Sequence, residues 1–138
     1  MRFSHTILYV NDVAETLAFW ERAFGIRPHF VHPDKGYAEL DTGGTRLAFA
    51  SHELVSTLFE SSYRETDAGR RPIGVEVGFE VDDVDAAFAK ATDAGAEVLA
   101  DPVNHPWGQR VAYVRDGDGL IVALGSRMRD EAPVEANA

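Results

Sequence analysis

Hydrophobic and polar positions recur along this chain with two periods, and the same succession appears twice. Phe3 to Val10 is a run of β-branched and aromatic residues and reads as a strand. Asp12 follows as a helix N-cap with Glu15 three residues on, a capping-box spacing with Asp in place of Ser or Thr. Val13, Leu17, Trp20 and Phe24 then recur at helical spacing and form one apolar stripe, which places Trp20 in the core. Gly25 ends that helix in the manner of a C′ glycine. Ile26 to Val31 reads as a strand and His32 to Gly36 as a turn. Tyr37–Leu40 and Thr45–Ser51 are two more strands, joined by the hairpin signal Asp41-Thr42-Gly43-Gly44.

The second half retraces the first. Ile73 to Val84 repeats Phe3 to Val13 about 71 residues later, with Val81-Asp82-Asp83-Val84 against Val10-Asn11-Asp12-Val13. A helix capped by Asp82 or Asp83 carries the stripe Val84, Ala87, Phe88 and Ala91 and ends at Gly95. Strands follow at Ala96–Ala100, Arg110–Arg115 and Leu120–Ser126, with a loop over Asp101–Gly108 and a hairpin turn at Asp116-Gly117-Asp118-Gly119. Between the halves, Leu54, Val55, Leu58 and Phe59 predict a short amphipathic helix capped by Ser51, and Arg64 to Pro72 an exposed linker. The expected organisation is a first module at 1–60, a linker at 61–72, a second module at 73–127 and a disordered tail at 128–138, together one domain.

Two copies of strand, helix and three strands predict an α+β architecture in which each half-sheet covers its helix with one face and leaves the other free. Side-chain alternation assigns the faces. Val75, Val77, Phe79 and Val81 go to the helix, as do Leu47, Phe49, Val122 and Leu124. His5, Glu76, Ala48 and Ala123 occupy equivalent positions on the free face, and two half-sheets side by side would form a cup walled by them.

Composition narrows the functional classes. A chain of 138 residues that is 45% hydrophobic can bury one ordinary core. The absence of cysteine excludes disulfides, thiolate metal ligands and a thiol nucleophile. A net charge of −10 with 13 Lys and Arg argues against nucleic acid. Met1-Arg2 leads directly into a strand rather than a signal peptide, and no apolar run approaches the roughly 20 residues of a membrane span. The expectation is a cytoplasmic protein that binds neither nucleic acid nor membrane.

The candidate chemistry is sparse. His5 and Glu76 are a polar pair on the cup wall, either facing a ligand or pairing with each other. Trp107, in the loop His105-Pro106-Trp107-Gly108-Gln109, lies where no core stripe calls for it and is a candidate ligand contact. Tyr37 and Tyr113 add aromatic wall, as do Tyr9, Phe30 and Phe59. Arg46 and Arg110 are candidate anion or carbonyl contacts, or exposed ion-pair partners. His29, His32 and His52 show no recognisable spacing. GxSxG, P-loop and GxGxxG motifs are missing, and the Asp116–Gly119 turn lacks the glycine and glutamate of a calcium-binding loop.

The doubled module, the segment Phe19-Trp20-Glu21-Arg22-Ala23-Phe24-Gly25, the V-x-D before each helix and the Asp-Gly-Asp-Gly before the last strand resemble the vicinal oxygen chelate superfamily over Met1 to Ser126. That group includes glyoxalase I, extradiol dioxygenases, fosfomycin-resistance thiol transferases and bleomycin-resistance proteins. The resemblance implies two βαβββ modules forming an eight-stranded cup, commonly in a homodimer. It also implies a divalent metal in the enzymes, or a drug held without metal in the bleomycin-resistance type. The metal-ligand positions read His5, Glu76, Ala48 and Ala123 here, and alanine has no donor atom. Catalytic zinc usually takes three protein ligands, and a non-haem iron site two His and one carboxylate. The expectation is therefore a homodimeric, metal-independent binder of a small aromatic or planar molecule, with no cofactor. The contacts would be His5, Tyr37, Arg46, Glu76, Trp107, Arg110 and Tyr113. The alternative is a divalent-metal lyase or dioxygenase using His5 and Glu76, with Glu76 as the catalytic base. A non-catalytic interaction domain is the third possibility.

Overall fold

The computed structural model describes residues 1–59 and 62–128. Its elements are β1 (Thr6–Val10), α1 (Val13–Phe24), β2 (Pro28–Val31), β3 (Tyr37–Leu40), β4 (Leu47–Ser51), α2 (His52–Ser56), β5 (Glu76–Glu80), α3 (Val84–Asp93), β6 (Glu97–Asn104), β7 (Arg110–Arg115) and β8 (Ile121–Gly125). They make two four-stranded sheets of identical topology, β1-β4-β3-β2 and β5-β8-β7-β6. In each, the first strand runs parallel to the last and the other pairings are antiparallel. The two sheets form an open α+β cup. The tail expected to be disordered lies outside the described residues from 129 onward.

Local chemistry sets the helix ends. Asp12 accepts from the Glu15 amide at 3.0 Å and Asp83 from the Ala86 amide at 3.0 Å, each satisfying an amide that the helix itself leaves free. Gly25 takes φ 70° to close α1. Ser51 caps α2 through the Leu54 amide at 3.1 Å.

Several expectations are corrected. Phe3, Ser4 and His5 are not in β1. The Thr6 amide donates to the Arg46 carbonyl and β4 begins at Leu47, so the preceding residues have no partner strand. Strand β6 runs on through Pro102 to Asn104 instead of stopping at Ala100. It is an edge strand with register shifts, where a missing N–H costs little. Val75 is exposed, because β5 begins one residue later and Val75 never reaches the helix layer. The linker residues are mostly exposed but pinned. Buried Arg115 donates to the carbonyls of Asp67, Ala68 and Arg70, and to that of Gly119 in its own hairpin. Gly119, at φ 87°, lies so close beneath this contact that a Cβ there would come within 2.9 Å of the Ala68 Cα.

Both modules share one core. Trp20, fully buried, meets Phe49 of its own sheet edge-to-face at 4.9 Å and Phe79 of the other at 5.8 Å. Its indole N–H donates to Asp116 Oδ2 at 2.9 Å. Asp116 Oδ1 accepts from the Asp118 and Leu120 amides, and Asp118 in turn accepts from the Asn11 amide and the Thr16 hydroxyl. The Asp-Gly-Asp-Gly turn is thus also a latch between modules. Burial pushes the Asp116 carboxyl above its ordinary range, aided by the Asp118 charge and opposed by the Trp20, Leu120 and Asp118 donors.

Asp116→Asn offers one acceptor oxygen where the carboxylate uses two. It should lower the unfolding free energy by about 1–3 kcal/mol. Trp20→Ala should cost about 3–5 kcal/mol. Both are read from urea midpoints, and an Asp116→Asn midpoint equal to wild type would refute the latch. A pKa raised in the folded state means that the native chain holds this proton more tightly than the unfolded one. The contribution of Asp116 is therefore full below the ordinary carboxylate pKa and declines as pH rises through the raised value. The stability gap between wild type and Asp116→Asn should narrow over that interval.

Candidate functional site

The faces turned away from α1 and α3 form the inside of the cup. Strand register fixes which residues lie there. Ile7 pairs with Ala48 in the first sheet and Gly78 with Ala123 in the second, and Ile7 and Gly78 are separated by the repeat offset of 71 read from the sequence. On the second sheet, Gly78 and Ala123 make a floor of small residues among Glu76, Glu80 and Tyr113, and the Gln109 side chain fills the space over Gly125. The hollow over that floor has a volume of about 390 Å³. Glu76 and Tyr113 also line an adjoining hollow with Val75 and Ile121. Val75 and Ile121 in turn border a cavity of about 230 Å³ at the seam where β1 and β5, the terminal strands of their sheets, come together. Shared lining residues link the three spaces in series from the seam to Ser126, and together they are the trough.

The expected site residues are only partly brought together. Glu76 and Tyr113 share the trough. Trp107 is half-exposed, stacks on His105 with ring centroids 4.3 Å apart, and donates its indole N–H to Gln109 Oε1 at 3.0 Å. Gln109 lines the trough and ties its other end to the Ser126 carbonyl, so Trp107 stands one hydrogen bond behind the wall. Tyr37 is on the first sheet and donates to Glu39 at 3.0 Å. Burial first, and then this carboxylate, raise its hydroxyl above the ordinary pKa. Arg46 stands in the segment just before β4, where its carbonyl receives the Thr6 amide.

His5 is exposed ahead of β1 and bonded to Ser4 Oγ at 2.7 Å, with no hydrogen bond or ion pair to Glu76. The two do not form the cross-cup pair weighed from the sequence, because His5 lies outside the strand that would have aimed it. Arg110 alternates onto the helix side, where Asp85 of α3 holds it through two bonds of 2.8 and 2.9 Å and Asn104 through a third. That pairing holds the Asp85 carboxyl below its ordinary range and takes the guanidinium away from the trough.

A divalent metal does not fit these residues. Ala48 and Ala123 are buried methyl groups at the fourth- and eighth-strand positions. Among the described residues no three His, Cys, Asp or Glu side chains come together, and every buried side-chain nitrogen or oxygen already has a hydrogen-bond partner. The structure also contains a polar group that sequence reasoning passed over. His52, buried at the start of α2, bonds Tyr63 and Thr66, and all three line the seam cavity. No spacing announces it, since the connector must fold back before these residues meet.

No helix among the described residues is long and apolar enough to cross a membrane. Several solved structures share this fold. A glyoxalase-related enzyme from Fulvimarina pelagi superposes with a TM-score of 0.77 at 19% identity, covering 92% of this chain and 88% of that one. A glyoxalase/bleomycin resistance protein/dioxygenase family enzyme from Burkholderia phytofirmans PsJN gives 0.76 at 22%, covering 89% and 96%. In sequence, 107 residues are 35% identical to the putative glyoxylase CFP32 of Mycobacterium bovis and of Mycobacterium tuberculosis. That match covers 62% of this chain and 41% of theirs, so it takes in only about two fifths of the length of those relatives. Residues 2–124 match the model of one family, and by that match the chain belongs to the Glyoxalase/Bleomycin resistance protein/Dioxygenase superfamily.

Proposed function

We propose that this chain is a metal-independent binding protein of its superfamily, a homodimer that holds a small planar or aromatic molecule in the trough. One observation carries the reading. The positions from which the fourth and eighth strands would ligate a metal are Ala48 and Ala123, at matching register, and the second opens a floor of small residues. A flat ring can lie on Gly78 and Ala123 with Tyr113 and the Gln109 side chain, which covers Gly125, at its edges and the Glu76 carboxylate as a polar fixing point, the composition typical of small-molecule sites. Trp107 supports the far wall through Gln109. The name glyoxylase carried by the sequence relatives favours an enzyme as the competing reading, in which His5 and Glu76 would hold a divalent ion with water.

Dimerisation draws support from the outer edges of the cup. Phe30 and Val31 on β2, and Val98, Leu99 and Val103 on β6, are exposed on terminal strands whose outer backbone groups are unpaired among the described residues. A second copy covers such an edge at no cost in specificity.

Three measurements test this. Light scattering should give a mass near twice 15.1 kDa across micromolar concentrations, and a monomer mass refutes the dimer. Elemental analysis of the purified protein should find zinc, nickel, manganese and iron well below one per chain. A stoichiometric metal that His5→Ala removes establishes the enzyme reading instead. Titration with planar aromatic compounds should quench tryptophan emission. Trp107→Ala should weaken binding roughly two- to tenfold, the worth of the hydrogen bond that holds Gln109 in the wall, while leaving the thermal midpoint nearly unchanged. Unaltered affinity and quenching in Trp107→Ala would remove this residue from the site.

A further inference from the structure

The seam cavity has a built polar end. Its lining is mostly apolar, with Ile7, Val75, Val77 and Ile121 among it, and its polar members are Thr6, Arg64 and the bonded group Tyr63, His52 and Thr66. Hydrogen-bond bookkeeping fixes the proton positions there. The Tyr9 carbonyl can only accept, so Thr66 Oγ1, 3.3 Å away, donates its single proton to it. Thr66 Oγ1 must then accept from His52 Nε2, at 3.1 Å, so that with the imidazole uncharged its one proton is on Nε2. His52 Nδ1 is left bare and accepts the Tyr63 hydroxyl proton at 2.8 Å. Burial, with the Glu65 charge, raises the Tyr63 hydroxyl pKa and keeps that proton in place.

The result is a phenol whose proton is committed and whose oxygen keeps lone pairs that nothing among the described residues claims. The Tyr63 ring is braced by Tyr9 at 5.3 Å and lies against His52 at 5.7 Å, so the hydroxyl is held in position before any ligand arrives. A preorganised acceptor at the end of an apolar chamber discriminates by what it can receive. A ring bearing a hydroxyl or amino N–H donor completes the relay into Tyr9, whereas an aprotic ring of the same shape leaves the oxygen unpaired. The volume of about 230 Å³ suits a single substituted ring, since an apolar cavity of about 150 Å³ suffices to bind benzene.

We infer that the seam cavity selects monocyclic aromatic ligands carrying a hydrogen-bond donor, through the Tyr63 hydroxyl oxygen acting as acceptor and oriented by His52 and Thr66. This rests on the reading of the trough as a small-molecule site and names the class that its deep end takes.

The test uses phenol and toluene as probes of the full chain, followed by the methyl resonances of Ile7, Val77 and Ile121. Both should shift those methyls. In wild type, phenol should bind more tightly, relative to toluene, than their water-to-alkane transfer free energies predict. In Tyr63→Phe, phenol affinity should fall at least about fivefold, the cost of a buried donor left without its acceptor, while toluene affinity stays within about twofold. The wild-type comparison stands whether or not the variant folds. If both rings shift the methyls but phenol shows no excess in wild type, the inference is overturned and the trough remains a binding site. The same holds if phenol loses nothing in a folded Tyr63→Phe. If neither ring shifts Ile7, Val77 or Ile121 at millimolar concentration, the binding reading and this inference fall together.

Discussion

Burying one tryptophan between two modules is the constraint on which the rest of this structure depends. Trp20 projects from α1 into aromatic rings of both sheets, and burial of so large a side chain favours the joined state. Its indole N–H cannot be buried unpaired without a penalty comparable to a lost hydrogen bond. Asp116 meets that need, but a buried carboxylate is itself costly, and it is offset only because two amides of its own turn and the indole converge on it. Asp118 extends the same logic to Asn11 and Thr16 at the start of α1. Each helix thus rests on its own sheet, and the first is also tied to the last hairpin of the second.

The connector follows from a second buried charge. The Arg115 guanidinium satisfies its donors on backbone carbonyls of the connector and on Gly119, with Glu97 as a distant carboxylate partner at 3.4 Å. Carbonyls supply partial negative charge without the desolvation cost of another buried ion. Holding residues 67–70 there brings Thr66 and Tyr63 back to His52 at the start of α2 and, through Thr66, to the Tyr9 carbonyl of β1. The seam between the sheets is consequently closed at one end by side chains from a segment that belongs to neither repeat, and this breaks the symmetry of the cup.

Function in this superfamily depends on what is mounted on the inside of that cup. Here the inside carries methyl groups and glycines where a metal site needs donors, and polar groups collect at the ends, Glu76 toward the open face and Tyr63 at the seam. On the function proposed above, such a lining would orient a small flat molecule rather than ligate a metal.

The repeat, the helix caps, the hairpin turns and the core role of Trp20 were legible in the chain itself, because each rests on interactions within about a dozen residues or on a side-chain period. The equivalence of Ala48 and Ala123 was legible for the same reason, since strand alternation and the repeat offset are sequence properties. The extent of β1, the continuation of β6 past Pro102 and the side taken by Arg110 were decided by partner strands and by Asp85, which no local pattern specifies. The His52–Tyr63–Thr66 group was invisible in sequence because its members matter only after the connector folds back onto β1. The second role of Asp116 and Asp118 was hidden likewise: a turn motif announces its own backbone, and only packing of the two modules reveals that its carboxylates receive the indole and hydroxyl of a helix about 100 residues earlier. Sequence alone determined the parts and their repetition, through short-range periodicity and capping. Tertiary structure decided which polar groups meet, because burial leaves each of them dependent on a partner from a distant part of the chain.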